Sequence, residues 1–351
     1  MVATPSLLGR YRAELEETLR AAIPAGGPDL LYRMMRYHLG WEDEQGLPLT
    51  NAGGKGLRAA LCLWACEAVG GPWRRALPAA VALELIHNFS LVHDDIQDGD
   101  VERRHRPTVW SVWGAPQAIN AGDSLLVLGR RALLGLHDEG PSAALRTGLP
   151  APRVLLACRI LDEACRELIE GQCLDLGFEA TLDVSPEAYL EMIGTTTGAL
   201  LEASLHLGAL AGSEDDALAM RLARCGRLLG LAFQIRDDIL GVWGASEVTG
   251  KPVAADIRRR KKSLPVVYTL AVAQDRDRED LLRLYAQDSL SDGDVARVLE
   301  IVESSGARDY CQRMAEERIA EALAELEGAA ISSAALRDFQ ELTIFLLERD
   351  F

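Results

Sequence analysis

The segment Leu91-Val92-His93-Asp94-Asp95-Ile96-Gln97-Asp98 places three carboxylates within five residues at the end of an apolar run. Apolar residues upstream of it recur at steps of three and four, which is the period of a helix with one buried face. On such a helix Asp94 and Asp98 share a face, and Asp95 lies about 100° round the axis, so all three can reach one cavity. Like charges a few Å apart repel by about 4 kcal/mol at a protein-like dielectric, so the segment predicts a neighbouring cation.

A second acidic segment, Phe233-Gln234-Ile235-Arg236-Asp237-Asp238, also ends an apolar helical pattern. Carboxylate oxygens are the ligands that Mg²⁺ prefers, and protein-bound Mg²⁺ commonly shares its shell with water and substrate phosphates. A single acidic run is more often a solvated helix end. Two such runs that both continue apolar faces instead favour facing helices that hold Mg²⁺ and a diphosphate between them.

The bulk composition describes an ordinary globular chain of 351 residues, with 48% hydrophobic and 26% charged residues. That length is ample for a large core. The formal net charge of -16 argues against broad nucleic-acid affinity, which needs a basic surface.

The seven cysteines form an odd set without a CxxC pair, mostly inside apolar helical runs. They favour reduced core residues of an intracellular protein. The N-terminus lacks a charged-then-apolar leader, and no stretch reaches about 18 uninterrupted apolar residues. We therefore expect a cytoplasmic protein with no membrane span.

The chain shows helical periodicity almost throughout and no convincing two-residue alternation, so the predicted class is all-α. Short linkers and the absence of repeats or low-complexity segments predict one domain, 1–351, formed by a single large helical bundle around a central cavity. The predicted helices cover 6–22, 29–39, 55–69, 73–98, 115–137, 150–177, 186–211, 215–243, 262–274, 291–304, 307–327 and 331–348.

Five further stretches carry polar groups that suit an anionic substrate. Each is weak by itself, since a helix-face histidine is more often a core residue and a cationic run is more often solvated surface. Backbone N–H groups at a helix start, together with lysine and forked arginine donors, favour phosphate. The stretches are Gly53-Gly54-Lys55 with Arg58; His87; Arg103-Arg104; Glu170-Gly171-Gln172 with Asp175; and Thr249-Gly250-Lys251 with Asp256 and the basic run from Arg258 to Lys262.

Taken in order, these motifs resemble the trans-isoprenyl diphosphate synthases, the family of farnesyl and geranylgeranyl diphosphate synthases. The likeness runs from about Gly53 to Pro265. The motifs are GGKxxR at 53–58, HDDxxD at 93–98, GQxxD at 171–175, FQxRDD at 233–238, and TGK with a downstream Lys261. The resemblance implies the isoprenoid synthase fold and a homodimer in which each subunit encloses its own cavity.

The resemblance also implies roles for individual residues. Asp94, Asp98 and Asp237 would bind Mg²⁺, about three ions in all, with Asp95 and Asp238 supporting them. The substrates would be isopentenyl diphosphate and an allylic diphosphate. Arg103, Lys251 and Lys261 would contact the allylic diphosphate, near Gln234 and Gln172, and Lys55, Arg58, His87 and Arg104 would hold isopentenyl diphosphate.

Three positions depart from the family pattern. Gly241 stands where many members carry a third aspartate, Thr196 stands where a lysine is usual, and Gly56 stands where arginine is commoner. A lost charge-assisted hydrogen bond costs about 1.5–3 kcal/mol, so Thr196 is the most serious change. We expect a working enzyme that is slower or more selective.

The length of the product is expected to depend on the residues one helical turn before Asp94. In the family, a bulky aromatic residue five places before the first aspartate shortens the product, and a small residue permits long ones. Phe89 is bulky and Ser90 is small, which favours geranylgeranyl diphosphate over farnesyl diphosphate. A class I terpene cyclase and a non-catalytic partner subunit remain open as alternatives, although Gly241 and Ala245 do not fit the second motif of a cyclase.

Overall fold

Helices form nearly all the regular structure in the computed structural model, which describes residues 5–24, 29–49, 54, 56–137, 148–244 and 254–348. The predicted all-α class is confirmed. Within those ranges the α-helices are α1 Ser6–Arg10, α2 Arg12–Ala22, α3 Asp29–His38, α4 Leu57–Ala68, α5 Leu77–Gln97, α6 Val109–Trp113, α7 Ala115–Leu134, α8 Ala151–Glu179, α9 Pro186–Ile193, α10 Ala199–Gly212, α11 Asp216–Trp243, α12 Ala255–Arg258, α13 Leu264–Val272, α14 Asp275–Tyr285, α15 Asp292–Ser304, α16 Ala307–Leu326 and α17 Ser333–Glu348.

Several local features differ from the sequence prediction: the helix expected at 6–22 is divided into α1 and α2, and the short helices α6 and α12 were not predicted. A π-helical turn at Gly194–Gly198 separates α9 from α10, where one helix was expected. Helix α14 was missed because its first turns are charged and only a few apolar residues near its end are buried. A hairpin of two short strands, β1 Glu102–Arg103 and β2 Arg106–Pro107, was also missed, since two residues are too few to show alternation.

Helix α5 lies at the centre of the bundle and carries the first acidic segment at its C-terminal end. It is apolar on nearly every face, as expected of a helix surrounded by protein, and it packs against α4 and α7. By length and composition alone, Trp73–Gln97 is the one segment among the described residues that could cross a membrane, but it is largely buried inside the fold. It therefore has the properties of a core helix.

Close backbone contacts fix the position of α11, which carries the second acidic segment. A Cβ atom at Gly208 would lie 2.0 Å from the carbonyl oxygen of Cys62, so α10 meets α4 at a distance that only glycine permits. A Cβ atom at Gly226 would likewise lie 2.4 Å from the carbonyl oxygen of Leu201. Helix α10 thus packs closely against α4 on one side and α11 on the other, and so fixes the position of α11 relative to α4.

A separate apolar cluster lies beneath the second acidic segment. It contains Tyr189, Ile235, Ile239, Leu264 and Cys311, from α9, α11, α13 and α16. All seven cysteines are free thiols, and five are buried as predicted; Cys173 is exposed, which the apolar pattern around it did not indicate.

Candidate active site

The first acidic segment presents its carboxylates in two directions. Asp98 caps the C-terminus of α5, and its backbone N–H donates to the carbonyl oxygen of Asp94 at 2.8 Å. Asp98 is exposed and Asp94 is half-buried. Asp95 is only 1% exposed and accepts a hydrogen bond of 2.6 Å from Nε of Arg103. Asp94 and Asp98 therefore remain available to a ligand, whereas Asp95 is tied to the hairpin.

The charges of this segment are unfavourable without a cation. Burial, with Asp98 as the next largest cause, raises the pKa of Asp94 to about 7. Burial, followed by Asp100 and Asp175, raises the pKa of Asp98 to about 6. A bound cation would reverse these shifts, because it favours the ionised carboxylate.

The second acidic segment is held by neutral donors. Asp238 is 1% exposed, and its Oδ2 accepts hydrogen bonds from the hydroxyl of Tyr189 at 2.7 Å and the backbone N–H of Leu264 at 3.1 Å. Nε2 of Gln234 donates to its Oδ1 at 3.2 Å. Burial still raises the pKa of Asp238 to about 6. These hydrogen bonds fix the orientation of the Asp238 carboxylate, next to Asp237 in the sequence.

Lys261 shows that the two acidic segments border one space. Burial opposes its charge, but Asp238, Asp256, Asp175 and Asp237 together raise its pKa above the ordinary value. The same ammonium group lowers the pKa of Asp98 on α5. One cation thus interacts with carboxylates of both α5 and α11, as the sequence predicted for facing segments.

The carboxylates do not form a ready-made metal cage. Across the described ranges, no three His, Cys, Asp or Glu side chains lie close enough together to hold an ion by themselves. Mg²⁺ usually takes one or two carboxylates and completes its shell with water and substrate phosphates. The oxygen donors and the raised pKa values of Asp94 and Asp98 fit that ion.

Basic residues line the side of this space next to α4 and the hairpin. Burial lowers the pKa of Arg58, and this shift is opposed by Glu84 and Asp237. Burial also lowers the pKa of His87 well below its ordinary value, with Arg58 and Arg104 acting in the same direction. His87 is therefore neutral and can donate one hydrogen bond beside two guanidinium groups.

The hairpin turns through two residues in the left-handed region, Arg104 with φ 53° and His105 with φ 59°. A two-residue hairpin turn of this kind normally uses Asn and Gly, so the arginine adopts a strained backbone. A Cβ atom at Gly54 would lie 3.1 Å from Nη2 of Arg104, which places that guanidinium against the glycine motif before α4. Arg103 and Arg104 line the same cavity beside Asp95.

Helix α8 and the π-helical turn supply the third side. Asp175 has a pKa raised by burial and lowered in part by Lys261, and Gln172 is half-buried one turn earlier. Thr196, at the position where the family usually has lysine, donates to the carbonyl oxygen of Met192 at 3.2 Å. Thr197 donates to Oε1 of Gln234 at 2.9 Å and so orients the amide that supports Asp238.

Gly241 leaves its space to another carboxylate. A Cβ atom at this position would lie 2.0 Å from Oδ2 and 2.4 Å from Cγ of Asp256, the second residue of α12. An aspartate from a different helix thus fills the space that the third acid of the motif would use. The sequence placed Asp256 in a basic loop and gave no sign of this contact.

The residues expected to limit product length lie where α5 meets α7. Phe89 is 5% exposed, and its ring packs edge-on against His93 with 4.9 Å between centroids. His93 in turn occupies the space next to Gly122, where a Cβ atom would come within 2.3 Å of the imidazole. Ser90 donates to the carbonyl oxygen of His87 at 2.9 Å. Phe89 is therefore a buried ring on the helix before Asp94, and Ser90 beside it is a small buried side chain.

Lys55 and Lys251, which the sequence assigned to substrate binding, lie outside the described residues, as does the 249–251 motif. Sequence reasoning also missed several supporting residues. Glu84 could have been found, because it is an acid inside an apolar run three residues before His87. Tyr189 and His38 gave no such signal, since their contacts are with distant parts of the chain.

Comparison with known proteins agrees with this geometry. A family model described as polyprenyl synthetase matches residues 44–302. Two proteins of Mycobacterium tuberculosis are similar: a (2E,6E)-farnesyl diphosphate synthase, 40% identical over 99% of this chain and 93% of its own length, and a geranylgeranyl diphosphate synthase, 41% identical over 93% and 90%.

Solved structures show the same fold. A polyprenyl synthetase from Streptomyces coelicolor A3(2) matches with a TM-score of 0.88 and 38% identity over 97% of this chain and 98% of that one. A geranylgeranyl pyrophosphate synthase from Corynebacterium glutamicum, complexed with isoprenyl diphosphate and magnesium, matches with a TM-score of 0.80 and 25% identity over 99% of both chains. The chain therefore belongs to the polyprenyl synthetase family and is a trans-prenyltransferase that condenses isopentenyl diphosphate with an allylic diphosphate.

Proposed function

We propose that the main product of this enzyme is geranylgeranyl diphosphate, with farnesyl diphosphate as the second candidate. Identity does not separate the two, because relatives of both kinds are almost equally similar. The observation that carries the proposal is the buried ring of Phe89 on the helix before Asp94, next to the small side chain of Ser90. One bulky side chain at this position limits the length of the prenyl product. Because its neighbour is small, the limit should be longer than if both side chains were bulky.

In this proposal Asp94, Asp98 and Asp237 hold the magnesium ions. Asp95 and Asp238, each 1% exposed and hydrogen-bonded within the protein, fix the helix ends that carry those ligands. Bound magnesium would neutralise the allylic diphosphate, so that it leaves as pyrophosphate. About three ions per site are expected from the family.

The cations of the chain divide between the two substrates. Arg103 and Lys261 border the acidic space and would contact the allylic diphosphate, with Lys251, Gln172 and Gln234 in supporting positions. Lys55, Arg58, His87 and Arg104 would hold isopentenyl diphosphate. The described members of this second set interact with one another electrostatically, which supports their assignment to one anion.

The reaction needs positioning and a dry pocket rather than a protein nucleophile. The C–O bond of the allylic diphosphate breaks, the isopentenyl double bond forms a new C–C bond to the cation, and pyrophosphate can remove the released proton. Preorganised charge stabilises the departing diphosphate. The apolar residues of α5 and α7 keep water from the cation.

We also propose that the enzyme is a cytoplasmic homodimer. Helices α7 and α8 expose large apolar side chains, which a monomer would leave in water. Ile119 is 45%, Val127 62% and Leu134 54% exposed on α7, and Leu155 is 66% and Ile169 47% exposed on α8. A light-scattering mass of a monomer for the unmodified protein would contradict the dimer, and Val127→Glu should dissociate it.

The product is tested by incubating the pure protein and Mg²⁺ with isopentenyl diphosphate and each of dimethylallyl, geranyl and farnesyl diphosphate. Chromatography should show geranylgeranyl diphosphate as the main product. Accumulation of farnesyl diphosphate alone would contradict the chain length. Turnover without isopentenyl diphosphate would support a terpene cyclase. Activity only in the presence of a second protein would support a non-catalytic partner subunit.

The limit on product length is tested by Phe89→Ala, which should lengthen the product because it removes the bulky ring. Ser90→Phe should shorten it towards farnesyl diphosphate. Phe339→Ala is the control, since that ring is also buried but stacks on Trp64, 5.3 Å away between centroids. An unchanged product distribution in Phe89→Ala would show that another residue limits the chain.

A further inference from the structure

His38, the last residue of α3, borders a small, partly open cavity behind the basic side of the active site. The cavity has a volume of about 20 Å³ and lies between α3, the end of α5 and the hairpin. Its polar lining is formed by Tyr37, His38, Asp95, Arg103, Arg104, Arg106 and Thr108. No motif in the sequence pointed to His38.

Two buried polar atoms in this lining, Nε2 of His38 and Oδ2 of Asp95, have no partner in the protein with good hydrogen-bond geometry, although Asn88 lies near enough to His38 to raise its pKa slightly against the effect of burial. Asp95 is 1% exposed, and only its other oxygen is bound by Arg103. A buried carboxylate oxygen without a partner is destabilising, because it has lost its hydration and gained no hydrogen bond in return. A space of about 10–15 Å³ is enough for one water that has two to four polar partners.

The end of α3 already holds one strand of the hairpin. The hydroxyl of Tyr37 donates to the carbonyl oxygen of Pro107 at 2.7 Å, and Nη1 of Arg106 donates to the carbonyl oxygen of Tyr37 at 2.9 Å. The Arg106 guanidinium also stacks over the Tyr37 ring at 4.1 Å. The other strand is held by the ion pair of Arg103 with Asp95, so the strained turn between them depends on both attachments.

His38 remains neutral in this position. Burial, followed by Arg104 and Arg103, lowers its pKa to about 3. A neutral imidazole with its proton on Nδ1 offers Nε2 as an acceptor. A water in the cavity could then donate to both Nε2 and the Asp95 carboxylate, and accept from a neighbouring guanidinium.

We propose that His38 is a positioning residue, which acts through one buried water hydrogen-bonded to its Nε2 and to Oδ2 of Asp95. This water completes the partners of Asp95 and so fixes the direction of Arg103 and of the strained Arg104 beside it. The inference rests on the proposed role of these arginines in diphosphate binding. His38 itself touches neither substrate.

The first test compares His38→Phe, His38→Gln and, as a control, His206→Phe, which replaces a half-buried histidine in the cleft between α8 and α10. His38→Phe should raise the KM for isopentenyl diphosphate about tenfold, the effect of losing one hydrogen bond to a charged group, and change kcat less. His38→Gln should recover part of the loss because its amide can reach the water. An unchanged KM in a folded His38→Phe protein would overturn the inference.

Calorimetry of isopentenyl diphosphate binding to the resting enzyme separates this inference from the proposed function. If the unmodified protein does not bind isopentenyl diphosphate, the substrate assignment fails. If it binds and His38→Phe binds equally well, only the role of His38 fails.

A crystal structure of the unmodified protein that shows ordered water gives a test independent of folding of the variants. One water within hydrogen-bond distance of both atoms supports the proposal. A dry cavity, or a direct bond between His38 and Asp95, overturns it.

Discussion

The acidic segments on α5 and α11 have the same residue types but are stabilised in different ways. Asp95 is held by a cation, Arg103, which follows it by eight residues on the adjoining hairpin. Asp238 accepts its hydrogen bonds from the neutral groups of Tyr189, Leu264 and Gln234, two of which belong to other helices, and the charge of Lys261 from a distant segment also stabilises it. The first segment is therefore supported mainly by its own neighbourhood in the sequence, and the second by distant parts of the chain.

The third acid of each segment shows the same contrast. At the end of α5, Asp98 is the C-cap residue of the helix that carries Asp94. On α11 the corresponding position is Gly241, and Asp256 of α12 occupies the space instead. The motif of the first segment thus includes all three of its acids, whereas the motif of the second omits Asp256, which comes from another helix.

The largest expected effect tests whether both segments are equally necessary. Asp94→Asn and Asp237→Asn should each lower kcat by about 10²–10³-fold, because each removes charge that stabilises the departing diphosphate through magnesium. Steady-state turnover measures this, with Asp162→Asn as the control, since Asp162 only forms an exposed pair with Arg130. If one variant retains full activity, its helix does not carry a ligand.

The next effect compares the cation with the neutral donors. Arg103→Gln should lower the free energy of unfolding by about 3 kcal/mol, since it leaves a buried carboxylate without its cation. Tyr189→Phe should lower it by only about 1 kcal/mol, because two donors to Asp238 remain.

Urea denaturation checks both values for these two variants. Arg259→Gln serves as the surface control, because its pair with Asp100 is exposed and should contribute less than about 1 kcal/mol. Equal losses in Arg103→Gln and Tyr189→Phe would remove the difference between the two segments.

A third variant tests whether Asp256 replaces the missing acid at Gly241. Gly241→Ala should lower the free energy of unfolding by about 1–3 kcal/mol, because the new methyl group overlaps the Asp256 carboxylate. The double variant Gly241→Asp with Asp256→Gly should recover the free energy of unfolding of the unmodified protein. It should also recover the Mg²⁺ concentration at which half of the gain in melting temperature is reached.

Gly177→Ala provides the control, since no atom lies within 4 Å of a Cβ atom at that helical position. This change should be neutral or slightly stabilising, by up to about 1 kcal/mol. A Gly241→Ala protein as stable as Gly177→Ala would show that Asp256 does not occupy the space.

The smallest effect is a pH dependence that the segments should share. Asp94 has a pKa of about 7, and Asp98 and Asp238 have pKa values of about 6, all raised by burial. The folded protein therefore binds these protons more tightly than the unfolded chain between about pH 4 and 7. Without metal, these groups therefore stabilise the folded protein at the low end of that pH window. Their contribution to the free energy of unfolding is lost as the pH rises through the window.

Mg²⁺ should act in the opposite direction, because it binds the ionised carboxylates. Its affinity should fall about tenfold from pH 8 to pH 6, mostly through Asp94, and the melting temperature gained on adding Mg²⁺ should shrink accordingly. Thermal melts with and without Mg²⁺ across this range measure both trends. A gain in melting temperature that is constant from pH 6 to 8 would contradict the raised pKa values.

The sequence by itself determined the helical class, most helix positions and the two acidic segments, and the comparisons confirmed the family that the motifs resemble. These features are encoded by residues that are neighbours along the chain. Apolar periodicity identifies the buried face of one helix, and a motif identifies side chains at a fixed spacing on it. The one-domain organisation and the roles of individual site residues remain predictions.

Only the tertiary structure decided which groups support those side chains. The contacts of Tyr189 with Asp238, of Asp256 with the space at Gly241, and the shared cavity of His38 and Asp95 join residues from separate elements. Periodicity shows that a face is buried but not what covers it, because that depends on how the helices pack. The spacing of charges was therefore readable in the sequence, while their stabilisation became visible only once the chain was folded.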